Sequence, residues 1–289
     1  MSQPIRSSMD ENTRSTLLTI ERPGDASVFG ADVATAAAEI ITRYPGGQSR
    51  SALLPMLHLV QSEQGYVSPD GIAFCAEMLD LTHAQVAAVV TFYTMYKRKP
   101  TGEYLVSVCT NTLCGLLGGD EIYAALSKEL GIGMNQTSAD GSITLEHAEC
   151  LAACDYAPVV TVNYEFFDNQ TTESASDLVG KLRDGERPAP TRGAALCTFK
   201  EISRQIAGFL DERPESVSAP TAGTPSLVGV RLAAEKGETA PSYGGQSAGG
   251  APETTGSEQP TSANDAPLST AESDADHPAP PAGAKEEDS

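Results

Sequence analysis

The sequence predicts an α+β protein: a small N-terminal helical bundle, then an α/β layer, then an acidic tail without regular structure. Three observations carry this. Helical spacing with capping residues recurs between residues 31 and 96. The pattern then switches to period-two alternation at EYLVSVC, residues 103–109. After about Pro214 all periodicity is lost among Pro, Gly, Ser, Thr and acidic residues.

Residues 1–30 are polar and irregular and read as a flexible arm. The bundle is expected over residues 31–100. ADVATAAAEIITRYP places Ile40, Ile41 and Tyr44 on one helix face before Pro45 and two glycines stop it. In RSALLPMLHLVQSEQG, Leu53, Leu57 and Val60 form a helical stripe, and Gly65 ends it. SPDGIAFCAEMLD opens on Ser68 as N-cap with Pro69 at the first position. THAQVAAVVTFYTMY opens on Thr82 with Gln85 three residues on, a capping box.

The α/β layer is expected over residues 101–190. Tyr104–Cys109 is a strand. GDEIYAALSKELG is a helix with Asp120 and Glu121 in its first turn and Gly131 as its stop. SITLEHAEC holds a short strand and a turn. Val159–Val162 and Tyr164–Phe167 form a tight hairpin about Asn163, and residues 175–185 are a final helix. The order β-α-(β)-β-β-α is that of a thioredoxin-like layer. Residues 191–289 are expected to be mostly disordered, with residues 226–237 as a short amphipathic exception that reads as a transient helix.

The net charge of −20 argues against nucleic acid and anionic membrane surfaces as partners. No apolar run approaches the ~20 residues that span a bilayer. The start, MSQPIRSSMDENTRS, lacks a secretory h-region, so a cytoplasmic protein without direct membrane insertion is expected.

Chemistry concentrates in Cys109-x4-Cys114 and Cys150-x3-Cys154. In a reducing compartment such pairs are metal ligands or redox groups more often than disulfides. Two local pairs brought together by the fold meet the demand of a [2Fe–2S] rhomb for two thiolates on each iron. Gly115, Gly118 and Gly119 let backbone approach sulfur, and the helix beginning near Gly119 turns its positive end toward the first pair. A zinc site on the same four ligands is the alternative. The spacing favours the cluster, because zinc knuckles usually begin Cys-x2-Cys. Cys75 reads as a buried inert thiol, and Cys197 has no partner in sequence. His147, three residues before Cys150, reads as a neighbour of the site rather than a Rieske-type ligand. His58 and His83 read as ordinary helix residues. Phe92, Tyr93, Met95 and Tyr96 read as a core or contact cluster. No dinucleotide fingerprint, Walker sequence or Ser/His/Asp arrangement is present, so neither NADH nor flavin is expected to bind this chain by itself.

CTNTLCGLLGGDEI and ECLAACDYAPVVTVN, with HAQVAAVVTFYTMY and ALLPMLHLVQSEQGYVSP upstream, resemble a known family. It is the thioredoxin-like [2Fe–2S] ferredoxin subunits of respiratory complex I, the E subunits of bacterial NADH–quinone oxidoreductases. The resemblance covers about residues 31–187. It implies a helical bundle followed by a thioredoxin-like domain, with the cluster held by Cys109, Cys114, Cys150 and Cys154. It also implies an electron-transfer role within an oxidoreductase, with FMN and NADH only on a partner F subunit and a large iron–sulfur G subunit nearby. The location implied is cytoplasmic, at the inner face of the plasma membrane through the complex. Equivalent diaphorase subunits of NAD-linked hydrogenases and formate dehydrogenases, and a zinc-stabilised assembly scaffold, are the alternatives. One departure is Tyr164 after Asn163, where the family often has Gly.

Overall fold

The computed structural model describes residues 24–210, 213, 219 and 222–239. The first part is helical: α1 (Ala31–Thr42), α2 (Leu53–Gln64), α3 (Pro69–Leu79) and α4 (His83–Phe92). Their ends follow local chemistry. Ser68 Oγ accepts from the Gly71 N–H at 3.0 Å, with Pro69 opening α3. Thr82 and Gln85 form the expected capping box on α4. Gly65 closes α2 at φ 78°. Helix α4 stops at Phe92, and Tyr93 is already extended, so the residues through Tyr96 leave the helix. Ala36, Ala37, Ile40, Met56, Leu57, Val60, Cys75, Leu79, Val86 and Val90 form one core.

Within that core, His58 is buried and its ring centroid lies 4.8 Å from that of Tyr96. Burial lowers its pKa from 6.5 to about 4. Between those values the unfolded chain takes up a proton that the folded chain does not. Stability is therefore present above pH 6.5 and falls as pH drops toward 4. Between about pH 7 and 4.5, urea unfolding of the wild type is expected to lose about 2 kcal/mol more than His58→Leu. Equal losses in the two proteins would remove His58 as the source.

The second part is a five-stranded sheet in the order β2-β3-β1-β4-β5. It begins with β1 (Tyr104–Cys109), α5 (Thr112–Leu116) and α6 (Gly119–Leu130). It continues with β2 (Gln136–Thr137), β3 (Ile143–Ala148), β4 (Val160–Val162), β5 (Glu165–Phe167) and α7 (Thr172–Arg183). Strands β1 and β3 are parallel, and the other pairings are antiparallel. All six residues of β1 are buried, because both faces of the sheet are covered. Tyr104, Val106 and Val108 share a core with Ile122, Leu126, Leu178 and Val179. Leu105 points the other way, against Cys197, Phe199 and Ile202.

The hairpin between β4 and β5 turns on two residues rather than one. Asn163 and Tyr164 both have positive φ, 47° and 73°. Asn163 offsets the strain: Oδ1 accepts from the Leu105 N–H at 2.8 Å, and Nδ2 donates to the carbonyls of Glu103 and Cys197.

Two expectations need correcting. Residues 24–30 are not a loose arm. Asp25 caps a 3₁₀ turn at Ala26–Val28, its N–H donates to Asp70 Oδ1 at 2.9 Å, and the Phe29 ring lies 5.0 Å from that of Phe74. The expected tail likewise begins with ordered chain. Helix α8 (Phe199–Ile206) carries a capping box from Thr198 and Glu201, and its Phe199, Ile202 and Ser203 are buried. It packs along α2 and beneath Leu105, joining the helical part to the sheet. Phe199, Ile202, Ser203 and Ala207 recur at helical spacing and form the buried face that docks. Residues 1–23 of the arm and residues 240–289 of the tail lie outside the described residues. The amphipathic exception is helix α9 (Thr224–Lys236).

The two parts also meet through a half-sequestered ion pair. Lys97 Nζ lies 2.5 Å from Glu146 Oε2, and Ser107 Oγ donates to Glu146 Oε1 at 2.7 Å. Among the described residues no helix is long and apolar enough to cross a membrane.

Candidate metal centre

Parallel pairing of β1 and β3 decides where the chemistry gathers. The register sets Cys109 opposite Ala148 and continues with the Thr110 N–H donating to the Ala148 carbonyl at 3.2 Å. The loops that leave the C-terminal ends of these neighbouring strands are the two loops that carry cysteine pairs. A parallel pair needs a crossover, here α5 and α6, which is why 35 residues separate Cys114 from Cys150 in sequence.

Cys109 ends β1, and its N–H donates to the Val159 carbonyl at 3.0 Å. Cys114 sits in α5, whose start is capped by Asn111 Oδ1 accepting from the Thr112 N–H at 3.0 Å. Both thiols are buried. Helix α6 starts hard against them: a Cβ on Gly119 would lie 2.4 Å from the Cys109 carbonyl oxygen and 2.9 Å from that of Cys114. Only glycine fits there.

Cys150 and Cys154 lie on the loop after β3 and are exposed. The Ala152 N–H donates to Cys150 Sγ at 3.4 Å, with Ala152 at φ 53°. Cys154 opens a 3₁₀ turn, Cys154–Tyr156. The loops touch where Cys109 Sγ lies 3.8 Å from the Glu149 carbonyl oxygen. Burial pushes the Cys114 thiol up to about 11, helped by a hydrogen bond with Cys109 and by the charges of Cys109 and Cys154. The Cys114 side chain thus lies beside that of Cys109, and Cys154 is near enough to act on it. The wall around them is apolar: Ala153 and Val159, with Leu151, Tyr156, Ala157 and Phe166 packed alongside.

The other sequence candidates lie elsewhere. Cys75 is in the helical core, its thiol pushed up to about 12 by burial. Cys197 is buried with Phe199 and Leu105. His147 lies against Thr110, Nδ1 to Oγ1 3.5 Å, and its ring centroid is 5.9 Å from that of Tyr123. Among the described residues no three His, Cys, Asp or Glu side chains close on a single ion position. Sequence reasoning missed Arg192, which reaches the wall of this site from the segment assigned to the tail. The signal for it would have been long-range.

The donor set fits an iron–sulfur group. Four soft thiols come as two pairs, an N–H already points at one sulfur, and a glycine-lined cradle admits backbone to the other pair. A thioredoxin-type sheet with two cysteine pairs at the ends of its parallel strands defines a small cysteine-centred fold. The family model for thioredoxin-like [2Fe–2S] ferredoxins matches residues 37–183, and the chain belongs to that family. It is 57% identical over 206 residues to the E subunit of NADH-quinone oxidoreductase from Mycobacterium bovis, covering 71% of this chain and 80% of that one. To the corresponding E subunit from Rickettsia conorii it is 38% identical over 149 residues, covering 51% and 89%. Among solved structures, a thioredoxin-like [2Fe–2S] ferredoxin from Aquifex aeolicus aligns with a TM-score of 0.26 and 20% identity, covering 32% of this chain and 93% of that one.

Proposed function

We propose that this chain is the electron-transferring E subunit of an NADH–quinone oxidoreductase, with one [2Fe–2S] cluster held by Cys109, Cys114, Cys150 and Cys154. The observation that carries the reading is the parallel β1–β3 pair, from whose neighbouring C-terminal ends both cysteine loops leave. The names of the M. bovis and R. conorii relatives support the parent complex. When bound, the cluster supplies a one-electron site. The chain's own residues position it. Gly119 keeps backbone close to the buried pair, the Ala152 N–H donates to Cys150 sulfur, and the apolar wall limits water on the Cys109/Cys114 side.

On this reading the electron arrives from the flavin of an F subunit, which alone handles NADH and hydride. A large iron–sulfur G subunit lies beside it. The complex holds the chain at the cytoplasmic face of the membrane. Residues 101–190 form the cluster-bearing part and residues 31–100 the platform beneath it.

Anaerobic reconstitution of the full chain is expected to give two iron and two sulfide per chain, with an EPR signal after dithionite. A colourless protein holding one zinc and no sulfide would reject the reading. Cys75→Ser is expected to leave the EPR spectrum unchanged, since that thiol lies in the helical core. A bleached Cys75→Ser variant would show the ligand set to be wrong.

A further inference from the structure

Arg192 lies behind the wall of the cysteine site. Its segment follows α7 and returns along β5: the Thr191 N–H donates to the Phe166 carbonyl at 2.9 Å, and Arg192 bridges Phe166 in antiparallel fashion. The guanidinium carbon lies 4.0 Å from the centroid of the Phe166 ring and 4.6 Å from that of Tyr156. Nε donates to Asp168 Oδ2 at 2.8 Å and Nη2 to Oδ1 at 3.2 Å. Thr191 Oγ1 donates to the same carboxylate at 2.8 Å. The Arg192 side chain is 15% exposed and that of Asp168 is 4%.

Both rings belong to the apolar wall around Cys109 and Cys114. Tyr156 also shares a single 3₁₀ turn with Cys154. The exposed Cys154 turn is thus tied to the rest of the molecule through a ring stacked on a half-buried guanidinium. Further ties come from the Asn169 N–H donating to the Tyr156 carbonyl and the Gln170 N–H donating to that of Pro158.

We infer that Arg192 is a positioning residue for the cluster: stacked on Tyr156 and Phe166 and oriented by Asp168, it holds the Cys154 turn at the pocket wall. This rests on the four-cysteine assignment proposed above. The role is geometric more than electrostatic. Asp168 neutralises the charge at contact distance, whereas only a planar fork meets two rings and one carboxylate together. A lysine keeps the charge and loses the plane.

The test uses the full-length chain reconstituted anaerobically, with iron and sulfide first measured on the wild type. Arg192→Gln and Arg192→Lys are both expected to release iron to a chelator roughly tenfold faster or more. Both should also broaden or shift the EPR signal of the reduced cluster. Arg183→Gln, which breaks only the surface pair with Asp140, should match the wild type. Val179→Ala, in the core between α7 and the sheet, controls for general loss of stability and should keep the wild-type EPR line shape. If Arg192→Gln fails to fold, Tyr156→Leu removes the ring from the same stack and should give the same release and line-shape changes.

Wild-type release and line shape in both Arg192 variants would overturn the inference. So would full rescue by lysine alone, which would make the role one of charge, or equal line-shape changes in Val179→Ala. A wild-type chain that takes up no iron or sulfide removes the ligand assignment, and this inference with it.

Discussion

Cys114→Ala is expected to abolish the EPR signal of the reduced protein and to cut bound iron below roughly a tenth of the wild-type content. On the proposed ligand set, losing one of four thiolates leaves an iron short of a ligand, a larger defect than the 10- to 100-fold weakening typical of outer-shell changes. Cys114 is the most informative of the four because burial prevents easy substitution. Its sulfur faces Cys109, and the residue is 3% exposed, so solvent has little access to take its place. Cys150, a ligand on the same proposal, is exposed and has solvent at hand, so its loss should leave more residual iron. The fold should survive in Cys114→Ala, since the sheet core of Val106, Val108, Ile122 and Leu126 does not include it. Far-UV circular dichroism checks that point. A Cys114→Ala protein with wild-type iron and an unaltered spectrum would remove Cys114 from the ligand set.

Phe199→Ala is expected to destabilise the protein by about 3–5 kcal/mol, the usual range for truncating a fully buried Phe. At about 2–4 °C per kcal/mol for a chain of this size, the melting temperature should fall by roughly 10 °C. The reason is position. Phe199 is 1% exposed and packs with Leu105 and Ile202 on the sheet face that α8 covers, and α8 in turn packs along α2. Its N–H donates to the Glu103 carbonyl at 2.8 Å, so the ring and the backbone anchor the same joint. The change should loosen the helical part from the sheet before it touches the cysteines. Iron content should therefore fall less than stability. Urea unfolding of the cluster-free and loaded chains measures both. A loss below about 1 kcal/mol would mean that α8 adds little to the folded body.

The short-range features of this protein were legible in its sequence. Ser68, and Thr82 with Gln85, cap helices because their side chains reach backbone N–H groups three residues away. The alternation in Tyr104–Val108 made β1 a strand for an equally local reason. The Cys-x4-Cys and Cys-x3-Cys pairs named the candidate ligands, since the members of each pair lie within a few residues of each other. Thr198 and Glu201 are an equally local cap, with Phe199 and Ile202 following it.

Tertiary structure decided what depends on residues far apart in sequence. Whether the two cysteine loops meet depends on the parallel β1–β3 pairing. Residues 191–210 became part of the body because Phe199 found a buried place against Leu105. Arg192 reached the site wall by pairing with a strand 26 residues earlier. A cap is set by the torsions of one turn, whereas these contacts need the chain to close long loops, and only the packed whole offsets that entropy.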